Sequence, residues 1–346
     1  MRYQGIKVTL VTGFLGAGKT TLIRHLLEQA PPNERWAVLV NEFGDIGLDG
    51  AFYADSGVAI REVPGGCVCC VTSAAFQQGL NQLIRQYNPD RIIVEPSGLG
   101  HPKQIIAKLR GDSYHDVLWL TGVFCVLDAR HLLDERYTRH AIFSDQITSA
   151  DAVVFSHVDR YQQADIECLN AYFGENTLLS SSPALFMSDP MSLSVDALDI
   201  ALVDFSDRPQ SVDDHDHDHD HDHDHDHDHD HKVTQHNERR WHYQKQQDAM
   251  QVLGWRWPAE DYFVEERVVS WVRDMATWKE VYRIKGVFMV RLNEALFVNV
   301  ARGEVTLTLA PWQQTSRIEV IGDRVGEWPD MARNHCSEAT VPKRQS

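Results

Sequence analysis

Between residue 6 and about 190, short apolar runs alternate with amphipathic stretches. The runs IKVTLVT (6–12), WAVLV (36–40), VAIREV (58–63), RIIVE (91–95), VFCVLD (123–128), DAVVFS (151–156) and ALFMS (184–188) read as strands. Between them, TTLIRHLLEQA and TSAAFQQGLNQLIRQY read as helices. In the second helix Phe76, Leu80, Leu83, Ile84 and Tyr87 recur at helical spacing. Strands alternating with helices give right-handed βαβ units, so the pattern predicts an α/β domain with a mainly parallel sheet.

The pattern stops at DDHDHDHDHDHDHDHDHDH (213–231), which holds no apolar residue and can bury nothing. Beyond it the text becomes rich in Trp. LGWRWPAEDYF precedes a helix-like VEERVVSWVRDMATW and four strand-like runs, YRIKGVFMV, ALFVNVA, EVTLTLA and RIEVIGD. The expected organisation is an α/β nucleotide-binding domain over 1–207, a disordered His/Asp-rich linker over 208–237, a small α+β domain over 238–325 and a polar tail over 326–346.

Charge changes this picture less than its size suggests. The formal net charge is −17, but ten aspartates between Asp213 and Asp230 supply most of it, leaving −7 elsewhere. No basic stripe suits nucleic acid. No run of 18 apolar residues suits a membrane span. The N-terminus lacks a cleavage signal and runs straight into a glycine-rich loop, so the expected location is cytoplasmic. In such a reducing compartment, clustered cysteines point to metal or catalysis before disulfides.

GFLGAGKT (13–20) fits G-x-x-x-x-G-K-[ST] between a strand and a helix, the context that a phosphate loop requires. Gly13, Gly16 and Gly18 let backbone N–H groups turn inward toward phosphate oxygens, and Phe14, Leu15 and Ala17 complete the loop. Lys19 brings a cation to the outer phosphates, serving catalysis as well as binding, while the helix start at Thr20 and Thr21 adds its positive dipole end. The Thr20 hydroxyl is the expected Mg²⁺ ligand. In RIIVEPSGLG, Glu95 ends a strand where it can hold Mg²⁺ through water, and Gly98 lets the next loop approach a γ-phosphate. VVFSHVD (153–159) stands where guanine-binding Asn-Lys-x-Asp would be. Asp159 is present to accept from guanine, but Ser156 and His157 replace the Asn and Lys.

GGCVCC (65–70) places Cys67, Cys69 and Cys70 within four positions. Thiolates favour Zn²⁺ or Cu⁺ over Mg²⁺. Three thiolates leave a tetrahedral zinc site one ligand short. Glu42, a water or a group of the receiving protein could complete it, and an open position suits ligand exchange. A redox dithiol, a single nucleophilic thiol and plain packing are the other readings. Cys125, in an apolar run, reads as an inert core residue.

Taken together, the phosphate loop, NEFGDIGLDG (41–50), GGCVCC, EPSGLG, RIKG and IEVIGD resemble the CobW-type GTPases. The resemblance spans most of residues 6–325 outside the tract. It implies cytosolic metallochaperones, related to the nickel-insertion GTPases of urease and hydrogenase, that handle zinc or, in one branch, cobalt. SHVD departs from the family's NKxD, and Asp45 stands where the family often has Glu.

Three further expectations complete the reading. Glu42, Asp45 and Asp49 lie where a nucleotide-sensing switch would run, with Asp45 or Asp49 sensing Mg²⁺ or γ-phosphate. The imidazoles of His215, His217, His219, His221, His223, His225, His227, His229 and His231 suit Zn²⁺, Ni²⁺, Co²⁺ or Cu²⁺ without fixed geometry. Extended, that tract spans roughly 60 Å at about 3.3 Å per residue, enough to feed the cysteine site. The function expected is a slow, Mg²⁺-dependent GTPase that passes zinc, with Co²⁺ and Ni²⁺ as alternatives, to a client metalloprotein. A metal store with a regulatory nucleotide site and a cobalt-handling enzyme of cofactor synthesis are the rivals. A homo-oligomer stays open, and no residue can be named as the activator of water.

Overall fold

The computed structural model describes residues 3–42, 58–64, 74–175, 184–186, 193–203, 241–247, 249–336 and 343–344. Strand β1 (Ile6–Thr12) leads through the glycine-rich loop into α1 (Lys19–Glu28), whose Leu22, Ile23, Leu26 and Leu27 face the sheet. There follow β2 (Trp36–Glu42), β3 (Ala59–Pro64), α2 (Ala74–Tyr87), β4 (Arg91–Glu95) and α3 (Pro102–Arg110). Next come β5 (Leu118–Leu127), α4 (Glu135–Thr138), α5 (Ala141–Thr148), β6 (Ala152–Phe155), α6 (Gln163–Glu175), β7 (Ala184–Phe186) and α7 (Ile200–Val203). The sheet runs β3-β2-β4-β1-β5-β6-β7, and every pairing is parallel.

Such a sheet is covered on both faces, which is why its strands read as continuous apolar runs. Val8, Leu10, Ile92 and Val94 point to the side of α2 and α3. Val11, Val38, Val40 and Ile93 point to the side of α1. Helix α2 follows its expected spacing with Phe76, Leu80, Leu83 and Ile84 buried, but Tyr87 at its end is exposed.

The second unit consists of β8 (Trp241–Gln247), β9 (Met250–Arg256), β10 (Asp261–Tyr262), α8 (Glu265–Met275), β11 (Val281–Arg291), β12 (Glu294–Ala301), β13 (Glu304–Pro311), β14 (Arg317–Asp323), α9 (Trp328–Asn334) and β15 (Lys343–Arg344). Six of these strands form an antiparallel sheet, β13-β12-β11-β14-β9-β8. One face packs Ile284, Phe288, Val298, Ile318 and Val320 against Val268, Trp271 and Val272 of α8. The polar tail expected from 326 therefore needs correction. Trp328, 1% exposed, sits in this same core, and its indole donates to Asp323 O at 2.7 Å. One large aromatic side chain outweighs the polar residues around it.

The two units share buried surface. Met250, Val252, Tyr282 and Ile321 belong to the apolar cluster of the parallel sheet. Arg136 donates to Lys279 O at 3.0 Å, and Tyr282 donates to Arg136 O at 3.2 Å. Among the described residues no helix is long and apolar enough to cross a membrane. The tract 213–231 lies outside the described residues.

Candidate functional site

The carboxyl ends of parallel strands are where an open α/β sheet gathers its loops, and the glycine-rich loop lies at that end of β1. Gly18 takes a left-handed conformation at φ 98 and forms the N-cap of α1. The next residue, Lys19, is 5% exposed. Its ammonium donates to Gly13 O at 2.8 Å and Phe14 O at 3.3 Å, so the loop curls around its own cation. The Lys19 pKa is lowered to about 7, first by burial and then by the positive charges of Arg283 and Lys285, with Glu95 opposing them.

Thr20 donates through Oγ1 to Glu95 Oε1 at 2.9 Å. Glu95 is 2% exposed at the end of β4. The sequence expectation paired these two residues, and the fold brings them together. The loop after β4 passes close to the phosphate loop, because a β-carbon on Gly98 would lie 2.8 Å from Leu15 N. Gln146 anchors this loop by donating to Gly98 O at 3.1 Å.

Other expected contributors lie elsewhere. Phe14 is buried, its ring 5.6 Å from Tyr137, 5.7 Å from His140 and 5.8 Å from Phe143, centroid to centroid. Its side chain belongs to the core, as do those of Leu15 and Ala17, so these three can offer only backbone to a nucleotide. Tyr137 in turn meets Tyr282 of β11 edge-on at 5.6 Å. The loop is thus packed through two rings to the second unit.

After β6, Ser156 is buried and its hydroxyl lies 3.1 Å from His157 Nδ1. His157 adopts φ 55 and lines the cleft. Asp159 is on the following turn with its side chain 81% exposed, outside the cleft lining. Behind His157 stands Asp128, which no local signal marked as part of the site. It is 1% exposed at the end of β5, gripped by Arg130 Nη2 at 2.6 Å and 3.5 Å from His157 Nδ1. Burial would raise its pKa, but the Arg130 hydrogen bonds and nearby His131, Arg130 and His157 charges hold it below the usual carboxylate range.

A cleft of about 150 Å³ opens beside the loop, lined from the first unit by Gly16, Gly18, Lys19, Thr20, Thr21, Arg24, His157 and Arg160. Its far wall is the second sheet. Glu304 there accepts from Arg130 Nη1 at 2.7 Å and pairs with Arg160. This wall was not legible as a site in the sequence. Its cations alternate with apolar residues along a strand, which reads as an ordinary half-exposed sheet.

Asp45, Asp49, Cys67, Cys69 and Cys70 lie outside the described residues, as does the side chain of Glu42. Among the described residues no group of three or more His, Cys, Asp or Glu could hold a metal ion. Cys125 is a core residue, its thiol pushed up to about 12 by burial.

Residues 7–176 match the CobW/HypB/UreG nucleotide-binding domain, and 252–333 match the cobalamin synthesis protein CobW C-terminal domain. The chain is 36% identical over 326 residues to the zinc chaperone YeiR of Escherichia coli, covering 93% of this chain and 94% of that protein. It is 34% identical over 169 residues to the zinc chaperone YjiA of the same organism, covering 46% of this chain and 52% of YjiA. The crystal structure of zinc-bound YjiA from E. coli aligns with 96% of this chain and 98% of its own at 20% identity, with a TM-score of 0.43. Near end-to-end similarity to YeiR, together with both domain matches, means that the chain belongs to the CobW/HypB/UreG family.

Proposed function

We propose that the chain is a magnesium-dependent GTPase that binds zinc and passes it to a client metalloprotein, with hydrolysis timing the release. The observation that carries the nucleotide half is the Thr20–Glu95 hydrogen bond of 2.9 Å beside the buried Lys19. A hydroxyl and a carboxylate are hard oxygen donors of the kind Mg²⁺ accepts through one or two protein groups. Thr20 would bind the ion directly and Glu95 through water; once bound, Mg²⁺ supplies charge to offset that on the β- and γ-phosphates. Backbone N–H groups of 13–18 orient the phosphates, and Lys19 leaves the Gly13 and Phe14 carbonyls to reach them. Asp159, exposed beside His157, would accept from guanine.

The metal half rests on Cys67, Cys69 and Cys70, with Glu42 or a client group as the fourth donor. It is supported by similarity to proteins named zinc chaperones. Asp45 and Asp49 would sense the γ-phosphate, and the histidine tract would supply loosely held ions. Slow intrinsic turnover is expected, because a switch of this kind needs a partner to complete it.

Phosphate release from GTP and from ATP, with and without Mg²⁺, tests the nucleotide half. Glu95→Gln is expected to lower Mg²⁺-dependent GTP turnover at least about tenfold while leaving metal-free GDP binding within about threefold, as expected when charge is removed from an ion's outer shell. Equal turnover of the variant, or a preference for ATP, would contradict the reading.

A further inference from the structure

The cleft beside the phosphate loop has two walls, and the second carries chemistry that phosphate binding by the loop does not explain. Strand alternation places Arg283 and Lys285 of β11, Asn299 and Ala301 of β12, and Glu304 and Thr306 of β13 on one face of the antiparallel sheet. The pairing sets them in two rows. One row runs Tyr243, Gly254, Glu319, Lys285, Asn299, Thr306. Its neighbour runs Lys245, Val252, Ile321, Arg283, Ala301, Glu304. This face rests directly on the loop, for a β-carbon on Gly16 would lie 2.5 Å from Ala301 Cβ.

We propose that the second sheet forms part of the nucleotide site, with Arg283 and Lys285 contacting the polyphosphate that the glycine-rich loop holds from the other side. The inference deepens the GTPase reading and rests on it.

Three observations carry it. Lys19, Arg24, Arg160, Arg283 and Lys285 line the cleft, and Glu304, the carboxylate among the described lining residues, pairs with Arg130 and Arg160. Like charges gathered in a partly buried cleft repel one another, and a polyanion is the ligand that relieves this. Second, Asn299 lines the same cleft and its Oδ1 is buried without a hydrogen-bond partner among the described residues. A buried amide oxygen is normally satisfied, and a ribose hydroxyl of the nucleotide or a water ordered by its phosphates would supply the missing donor. Third, the volume of about 150 Å³ lies below the roughly 300–1,000 Å³ of ordinary small-molecule sites. A space of that size suits phosphates between the walls and not a whole nucleoside triphosphate. Beneath Lys285, burial pushes Glu319 above the usual carboxylate range, against its hydrogen bond from Tyr243 and the charges of Arg283, Lys285 and Lys245.

The test is calorimetric titration of GTP, GDP, pyrophosphate and guanosine into the full chain and its Lys285→Gln, Arg283→Gln and Thr306→Glu variants. Thr306 is exposed on the cleft rim, so its variant adds a negative charge without disturbing a buried strand. Each variant is expected to weaken GTP, GDP and pyrophosphate about tenfold, to flatten their salt dependence and to leave guanosine within twofold. Lys285→Arg is expected to restore binding. Phosphate ligands held within twofold of wild type by folded Lys285→Gln and Thr306→Glu would overturn the proposal. If wild type prefers ATP, the GTPase reading fails, and the same variants titrated with ATP still decide the role of the sheet.

Discussion

Gly13→Ala is expected to destabilise the protein by about 2–5 kcal/mol and to abolish nucleotide binding, the largest effect of any single methyl group in the loop. Two terms add. Gly13 has φ 139, a conformation that costs an L-residue roughly 1–2 kcal/mol. A β-carbon there would also stand 2.4 Å from Val126 O, in the buried stretch 121–127 of β5. Strand β5 is paired on both sides, to β1 and β6, and cannot retreat. Overpacking of that kind typically costs about 1–3 kcal/mol. Gly16→Ala, at φ 75, meets Ala301 alone, 2.5 Å from its Cβ, on the surface where the second sheet rests on the loop. Its effect combines the strain of the left-handed backbone with a push on Ala301 of the second sheet, and it should be smaller than that of Gly13→Ala, whose clash is with strand backbone. Denaturant unfolding of both variants distinguishes the two, and a Gly13→Ala midpoint equal to wild type would refute the packing argument.

Nucleotide affinity is expected to fall as pH rises from about 7 to about 10, by up to a thousandfold in total. Lys19 in the empty site has its pKa lowered to about 7, first by burial and then by Arg283 and Lys285. A polyphosphate beside the ammonium restores the charged form, bringing the pKa back toward its ordinary value near 10.4. Between those values the complex holds one proton more than the free protein, so binding takes up a proton and weakens tenfold per unit of pH. The same shift acts on folding with the opposite sense. In that window the unfolded chain holds more protons than the empty native state, so stability of the empty protein rises with pH through this group. Calorimetry at pH 8.5 in buffers of different ionisation heat should report uptake of nearly one proton per GTP. Lys19→Met should remove it. Zero uptake by wild type would mean that Lys19 is already charged in the empty loop.

The sequence made the first unit readable because its information is local. An apolar run, four fixed loop positions and an amphipathic helix lie within about twenty residues of one another, and β1, the loop and α1 appear where that pattern puts them. Glu95 was also readable, since a carboxylate at a strand end next to a phosphate loop has few other reasons to be there. Phe14 was assigned by its place in the motif, whereas its ring answers to packing against Tyr137, His140 and Phe143. Asp128 and the far wall of the cleft depend on pairings over long separations. Lys285 reaches Glu319 and Asn299 by strand register, and Ala301 reaches Gly16 by domain docking. Neither relation leaves a trace in local spacing. Trp328 was hidden by the polar residues around it.

The coupling of nucleotide to metal is the central claim, and a competition titration of Zn²⁺ tests it most directly. It would be run on the full chain and on a chain lacking 213–231, with Mg²⁺ and a non-hydrolysable GTP analogue, with GDP, and with ATP as control. The account predicts that the shortened chain changes zinc affinity at least tenfold between the GTP analogue and GDP, about 1.4 kcal/mol of coupling, and that Cys67→Ser abolishes the difference. Equal affinity in both nucleotide states would contradict it and leave the cysteines a static site in a metal store.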